Sequence, residues 1–355
     1  MQVLATLAVG CLLLRSTAAP AQQSERYTLD GDDVAIYNLA GSFTVEPGTG
    51  PVSVEIVRGG ADAAKLRVER GELDDRETLR VVYPAESIVY SVERGSSTTL
   101  RVREDGTFGD GDRDGDSREY DRGRKVSVSG QGEGLRAHAD LKVRMPAGQR
   151  MSLFLAVGNV SITNVNGELL VDGHSVPITA SGTKGTLVLD VGSGPVKVSG
   201  AEGSLNVDTG SGPVEVSGFR GGELSIDTGS GGVTGSELQA SEIQIDTGSG
   251  DIQLTAVTSP VLMLETGSGS VGADLRGPVR ELAVETGSGD ISVRAPASLA
   301  AEVEIETASG GIETDFELQV TRHSRDHVVG QIGNGTGRVA IETGSGDVRL
   351  LKRPN

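Results

Sequence analysis

Residues 110–121 read DGDRDGDSREYD, which puts Asp110, Asp112, Asp114, Gly115, Asp116 and Asp121 at positions 1, 3, 5, 6, 7 and 12 of a calcium-type loop. Carboxylates at that spacing can wrap a hard divalent cation while the glycine makes the sharp turn. The fit is partial. Position 12 is Asp where the longer Glu is usual, position 8 is Ser117, no helix pattern flanks the loop, and Arg113, Arg118 and Arg122 stand among the acids. Asp110, Asp112, Asp114, Asp116 and Asp121 are the candidate metal ligands, with calcium as the ion; a charged, disordered hairpin loop is the alternative.

Other chemistry is sparse. His323 and His327 are four apart in HSRDH, but the surroundings read as strand and the glutamate of a zinc protease is missing. GQIGNGTG from Gly330 does not fit a dinucleotide loop, no Walker lysine occurs, and no G-x-S-x-G elbow is present. Five Phe, five Tyr and no Trp leave few platforms for sugar rings. No catalytic residue and no resident cofactor are expected, and a polysaccharide-acting enzyme on a β-helix ranks third among the functional readings.

The most repeated chemistry is an acid followed by a small turn. VDTGSGPVEV, IDTGSGGVTG, IDTGSGDIQL, LETGSGSVGA, VETGSGDISV and IETGSGDVRL are near-copies. Their acids, with two relatives, are Asp190, Asp208, Asp227, Asp246, Glu265, Glu285, Glu306 and Glu342, at steps of 18, 19, 19, 19, 20, 21 and 36. The last step reads as two coils, one of them degenerate. Similar tracts lie around Asp172 and, eighteen residues earlier, at LFLAVGNVSI.

Such a period needs elements that repeat. Apolar residues alternate on both sides of each turn, as in Leu205, Val207, Val214 and Val216, so each coil is a strand, a Gly-Ser-Gly corner, a strand and a variable return. About five apolar side chains at ~2 kcal/mol each do not offset the ordering of 19 residues at ~1–2 kcal/mol apiece. A coil alone must fail. Stacked in parallel, coils satisfy one another's backbone and share one core, which defines an all-β parallel β-solenoid of about 18–21 residues per coil. The corner glycines permit positive φ and close backbone approach. Thr follows the acid in seven of the eight marked copies and Val191 in the other, so this slot points inward, where hydroxyls can bond along a ladder. The acids point outward, as turn-capping groups in solvent or as a cation- or polycation-binding stripe.

Three segments follow. Residues 1–21 read as a secretory signal peptide, with the apolar stretch Val3–Leu14 and small residues at Ala19–Ala21. Residues 22–150 form an N-terminal β region with an acidic loop at 104–124, and 151–355 form the repeat solenoid. The N-terminal region caps or extends the stack; SFTVEPGTGPVSV already shows a corner pattern at Glu46, and LLKRPN blunts the far end. Removing the leader takes away Arg15, leaving 31 basic against 50 acidic residues, about −19. That sign disfavours nucleic acid and anionic membrane surfaces. Cys11, the sole cysteine, lies in the leader, so the mature chain has no disulfide.

YNLAGSFTVEPGTGPVSVEI, LKVRMPAGQRMSLFLAVGNVSI, the TGSGDI coils and VVGQIGNGTGRVAIETGSGDVRL, taken in this order, resemble the bacterial "putative adhesin" family, an adhesin-like domain of unknown function. The likeness covers most of residues 34 to 351. It implies an exported parallel β-solenoid without established catalytic residues; the loop at 104–124 looks like an insertion. The expected function is an exported, non-enzymatic, adhesin-like protein of the periplasm, cell surface or extracellular space. It would bind an envelope or cell-surface protein or glycan through an extended repetitive β face, without nucleic acid and without membrane insertion of the mature chain. An envelope scaffold or stress-associated accessory protein is the alternative.

Overall fold

The computed structural model describes residues 24–90, 97–109 and 123–354. Residues 1–21, read above as a signal peptide, lie outside them. The chain opens with β1 (Ser24–Leu29), a long β2 (Asp33–Gly48), β3 (Val52–Gly59), β4 (Arg67–Leu73) and β5 (Arg76–Val82). Next come β6 (Ser87–Val89), β7 (Ser97–Val102), β8 (Arg124–Ser129), β9 (His138–Pro146) and a second long strand, β10 (Gln149–Thr163).

The repeat proper is a series of strand pairs. They are β11 (Asn166–Ser175) with β12 (Ile178–Ser181), β13 (Lys184–Ser193) with β14 (Val196–Ser199), and β15 (Glu202–Ser211) with β16 (Val214–Ser217). After these stand β17 (Arg220–Thr228) with β18 (Val233–Ser236), β19 (Gln239–Ser249) with β20 (Ile252–Val257), β21 (Val261–Ser268) with β22 (Val271–Leu275), and β23 (Glu281–Thr286) with β24 (Ile291–Ala295). The last six strands are β25 (Ala301–Thr307), β26 (Ile312–Thr314), β27 (Leu318–His323), β28 (His327–Ile332), β29 (Gly337–Thr343) and β30 (Val348–Lys352).

Twenty-seven of these strands form one sheet, wrapped around a corner so that it has two sides and one shared core. On the first side, β11, β13, β15, β17, β19, β21 and β23 lie side by side in parallel. On the second, β12, β14, β16, β18, β20, β22 and β24 do the same. β2 and β10 are long enough to run over the corner and serve both sides. The parallel β-solenoid read from the period is thus the fold. Sequential coils step by 18 residues at Leu187↔Leu205, by 19 at Leu205↔Leu224 and by 20 at Leu262↔Leu282. The first added residue is Gly222, where pairing jumps from Gly203↔Gly221 to Ser204↔Glu223.

One column of inward side chains per register position makes the core. Leu205, Val207, Val214, Val216 and Phe219 of a single coil are all 1% exposed or less. Volumes compensate between neighbours: a side chain at the inward Gly235 would meet Leu254 and Leu238 within 2.8 Å, so a glycine there leaves room for both leucines.

Both ends abandon the parallel pattern. At the N-terminal end the first side finishes in β5 and the antiparallel β4, and the second in β9 and the antiparallel strands β3 and β1. The turn after Glu46 is the connection that carries the chain across β9, which pairs with β2 on one edge and β3 on the other, rather than a coil corner; Glu46 faces Arg144 and its carboxylate pairs with Lys142 at 2.9 Å.

The C-terminal end departs further from the sequence reading. Residues 318–332 are not a degenerate coil but the β27–β28 hairpin, which pairs antiparallel with β25. β29 lies between β23 and β25, and β30 between β24 and β26, so the last coil in the chain is the penultimate coil of the stack. Burial accounts for the order. Val339, Ile341, Val348 and Leu350 are at most 2% exposed, whereas β26 offers a half-buried Ile312 and puts Thr314 opposite Leu350. The more apolar coil takes the interior slot, and β30, which holds the first residues of the LLKRPN tract, lies inside the stack rather than at its end.

Candidate functional site

Each corner is fixed by contact with the next. A side chain at Gly248 would stand 2.6 Å from the Gly229 carbonyl oxygen, and one at Gly210 would stand 2.7 Å from that of Gly192. The same clash recurs at Gly267, Gly287 and Gly344, so close approach is the general reason for the first corner glycine. Positive φ contributes at some copies of the second, such as Gly212 at +146°.

Thr209, Thr228, Thr247, Thr266, Thr286, Thr307 and Thr343 are all buried, and Val191 fills the same slot. The hydroxyls do not bond one another. Thr247, Thr266, Thr286, Thr343 and Thr307 each donate to the carbonyl of the second glycine of the adjacent corner, at 2.9–3.2 Å. Thr209 and Thr228 have no partner. Their equivalent acceptors, Gly194 and Gly212, are each followed by a proline, which restricts the backbone of the residue before it.

Outside the corner the acids form one file. The order is Asp172, Asp190, Asp208, Asp227, Asp246, Glu265, Glu285, Glu342 and Glu306, each facing the next on neighbouring strands. Strand spacing sets them about 4.8 Å apart. Burial, then the Asp190 and Asp227 charges, push the Asp208 carboxyl above the ordinary carboxylate range. The Asp246 charge, then burial and the Glu285 charge, do the same to Glu265. On the second side, charges are neutralised between coils instead, as in Lys197 with Glu215 at 2.9 Å.

Residues 175–351 match the family described as Toastrack DUF4097. The repeat region belongs to the Toastrack family. Similar solved structures include a "putative cell adhesion protein" from Clostridium sporogenes, 10% identical over 93% of this chain and 99% of that one, with a TM-score of 0.23. Two "putative adhesins", from Parabacteroides distasonis and Bacteroides fragilis, are each 12% identical. They cover 93% and 92% of this chain and 96% of each of those, with TM-scores of 0.33 and 0.32. No curated protein matches the chain.

At its N-terminal end the Toastrack acid file meets an aromatic plug. Tyr37 and Phe154 occupy the file's next two positions and stack at 4.4 Å. Phe108, from the β7–β8 hairpin, packs edge-on against Tyr37 at 5.9 Å, and all three rings are at most 3% exposed. His174 lies beside Phe108, and burial lowers its pKa. Sequence reasoning missed this plug. Counting eighteen residues back from Asp172 lands on Phe154, so the column itself carried the signal.

The described residues that flank the acidic loop reach this plug. The flanking strands pair as a hairpin, β7 with β8, and Gly109, the last described residue before the loop, sits against Asp172 and Phe154. Asp110, Asp112, Asp114, Asp116 and Asp121 lie outside the described residues. Among the described residues no three His, Cys, Asp or Glu side chains gather as a metal site. His323 and His327 flank the β27–β28 turn; His327 Nε2 lies 3.2 Å from a Glu304 carboxylate oxygen. No helix among the described residues is long and apolar enough to cross a membrane.

Proposed function

We propose that the protein is an exported, non-enzymatic, adhesin-like binder that engages a cell-surface or envelope partner, protein or glycan, through its repetitive first side. The supporting observation is the acid file: nine facing carboxylates on nine successive strands, presented at a constant interval with no basic residue among them. The inward Thr of these corners is buried in the stack, whereas the acids stand on its outer face. A regular array of weak sites binds by avidity, each coil adding a small increment. Asp110, Asp112, Asp114, Asp116 and Asp121 are the proposed calcium ligands; a calorimetric titration at millimolar calcium with neither heat nor a thermal shift removes the ion from the proposal.

Deleting residues 214–251, two coils of 19, tests the main reading. Binding of the purified protein to isolated cell envelopes should weaken in a graded way while the shortened stack stays folded. Complete loss, or no change, points to one localised site and contradicts an array. Protease accessibility on intact cells tests the export.

A further inference from the structure

The second side carries a different surface near its C-terminal end. Its outward position between the first two inward residues of each strand holds long or β-branched side chains from Thr179 through Gln253, then Gly272 and Ser292, and Arg349 beyond them. Glycine weakens a strand, and here nothing in the backbone asks for it. Gly272 is not in the left-handed region, and a side chain there would first meet the amide end of Gln253, which can swing away. The corner glycines, by contrast, face fixed carbonyls.

Beside Gly272 lies an open groove of about 570 Å³ whose lining includes Gln253, Gly272, Asp274, Ser292, Arg294 and Arg353. Arg353 reaches it because β30 is inserted beside β24; its N–H donates to the Ala295 carbonyl at 2.8 Å. Asp274 faces Arg294 across the strands but pairs with Arg353, Nε to Oδ1 at 3.7 Å, and that oxygen accepts no hydrogen bond. Arg294 is exposed and makes no ion pair among the described residues.

We propose that this groove binds an acidic glycan through the ring carboxylate of a uronate sugar. Two guanidiniums beside one carboxylate leave a single net positive charge in a chain of net charge −18. Guanidinium forks suit carboxylates, while Gln253, Ser292 and Asp274 can exchange hydrogen bonds with ring hydroxyls. Asp274 also disfavours compact, multiply charged anions such as phosphate. The groove has no aromatic platform, so single sugars bind weakly and polymers gain by avidity. The site stands apart from the acid file and does not depend on it.

The test is a saturation-transfer NMR and calorimetric titration of the purified protein with D-glucuronate and polyglucuronate, with D-glucose and inorganic phosphate as controls. Saturable binding of the two uronates is expected. Arg294→Gln should weaken it about 10-fold or more, and Gly272→Val should abolish it without lowering the thermal midpoint. Asp227→Asn with Asp246→Asn should leave it unchanged, which separates this site from the repetitive face. Absence of saturable binding, phosphate binding as well as glucuronate, or full binding by Gly272→Val overturns the assignment.

Discussion

The inner and outer surfaces of the corner obey different rules although they alternate along the same strands. Inside, glycine, threonine and aliphatic residues recur because each coil presses its backbone on the next, and a Cβ at Gly229 or Gly248 would collide with a neighbouring carbonyl. Outside, the same coils carry Asp, then Glu, on one side and a changing series of side chains on the other. Repetition inside is therefore a condition of folding. Outside, no such crowding sets the residue, so those positions are open for binding.

The sharpest way to break that contrast is to compare two glycines. Gly231→Ala puts a methyl into the Gly212 carbonyl, while Gly222 has nothing within 4 Å. Urea denaturation should show a loss of about 3 kcal/mol or more for Gly231→Ala and no loss for Gly222→Ala. Equal effects would mean that corner crowding does not hold the stack.

Hydroxyls give a smaller test with opposite signs. Thr247 donates to Gly231 O at 3.2 Å, whereas the buried Thr228 hydroxyl has no partner. Thr247→Val should cost about 1 kcal/mol. Thr228→Val should be neutral or stabilising, because it removes an unsatisfied buried group.

The outer file should respond least, and to pH. Asp208 and Glu265 have carboxyl pKa values raised above the ordinary 3.8 and 4.5. The folded chain therefore holds these protons more readily than the unfolded one, and stability from them is gained as pH falls through the folded values toward the ordinary ones. Asp208→Asn and Glu265→Gln should be slightly stabilising at pH 7 and should lose that advantage near pH 4. An advantage that grows on acidification would contradict repulsion along the file.

Much of this architecture was legible because its causes are local. Alternation, the Gly-Ser-Gly corner and the inward threonine slot are each set by a few adjacent residues, so the coil, its parallel stacking and the acid file could be read directly. Coil order at the end was not. The corners around Glu306 and Glu342 are nearly identical in sequence, and only relative burial, Val348 and Leu350 against Ile312 and Thr314, decides which coil is enclosed. The threonine ladder was read with the wrong acceptor, since hydroxyl-to-carbonyl bonding depends on how a neighbouring corner is turned. The groove at Gly272 escaped notice because glycine in a glycine-rich repeat looks ordinary until its surroundings show that nothing there requires it.

Single-file corners, in the order Gly289, Gly346 and Gly310, are most directly tested by cysteine pairs on the acid file. Glu285 faces Glu342, which faces Glu306, so Glu285 and Glu342 are about 4.8 Å apart and Glu285 and Glu306 about twice that. Mild oxidation of the folded protein should link Glu285→Cys to Glu342→Cys, while Glu285→Cys with Glu306→Cys stays reduced, because disulfides span Cα separations of about 4.4–6.8 Å. A bond between 285 and 306, with none between 285 and 342, would contradict the stack.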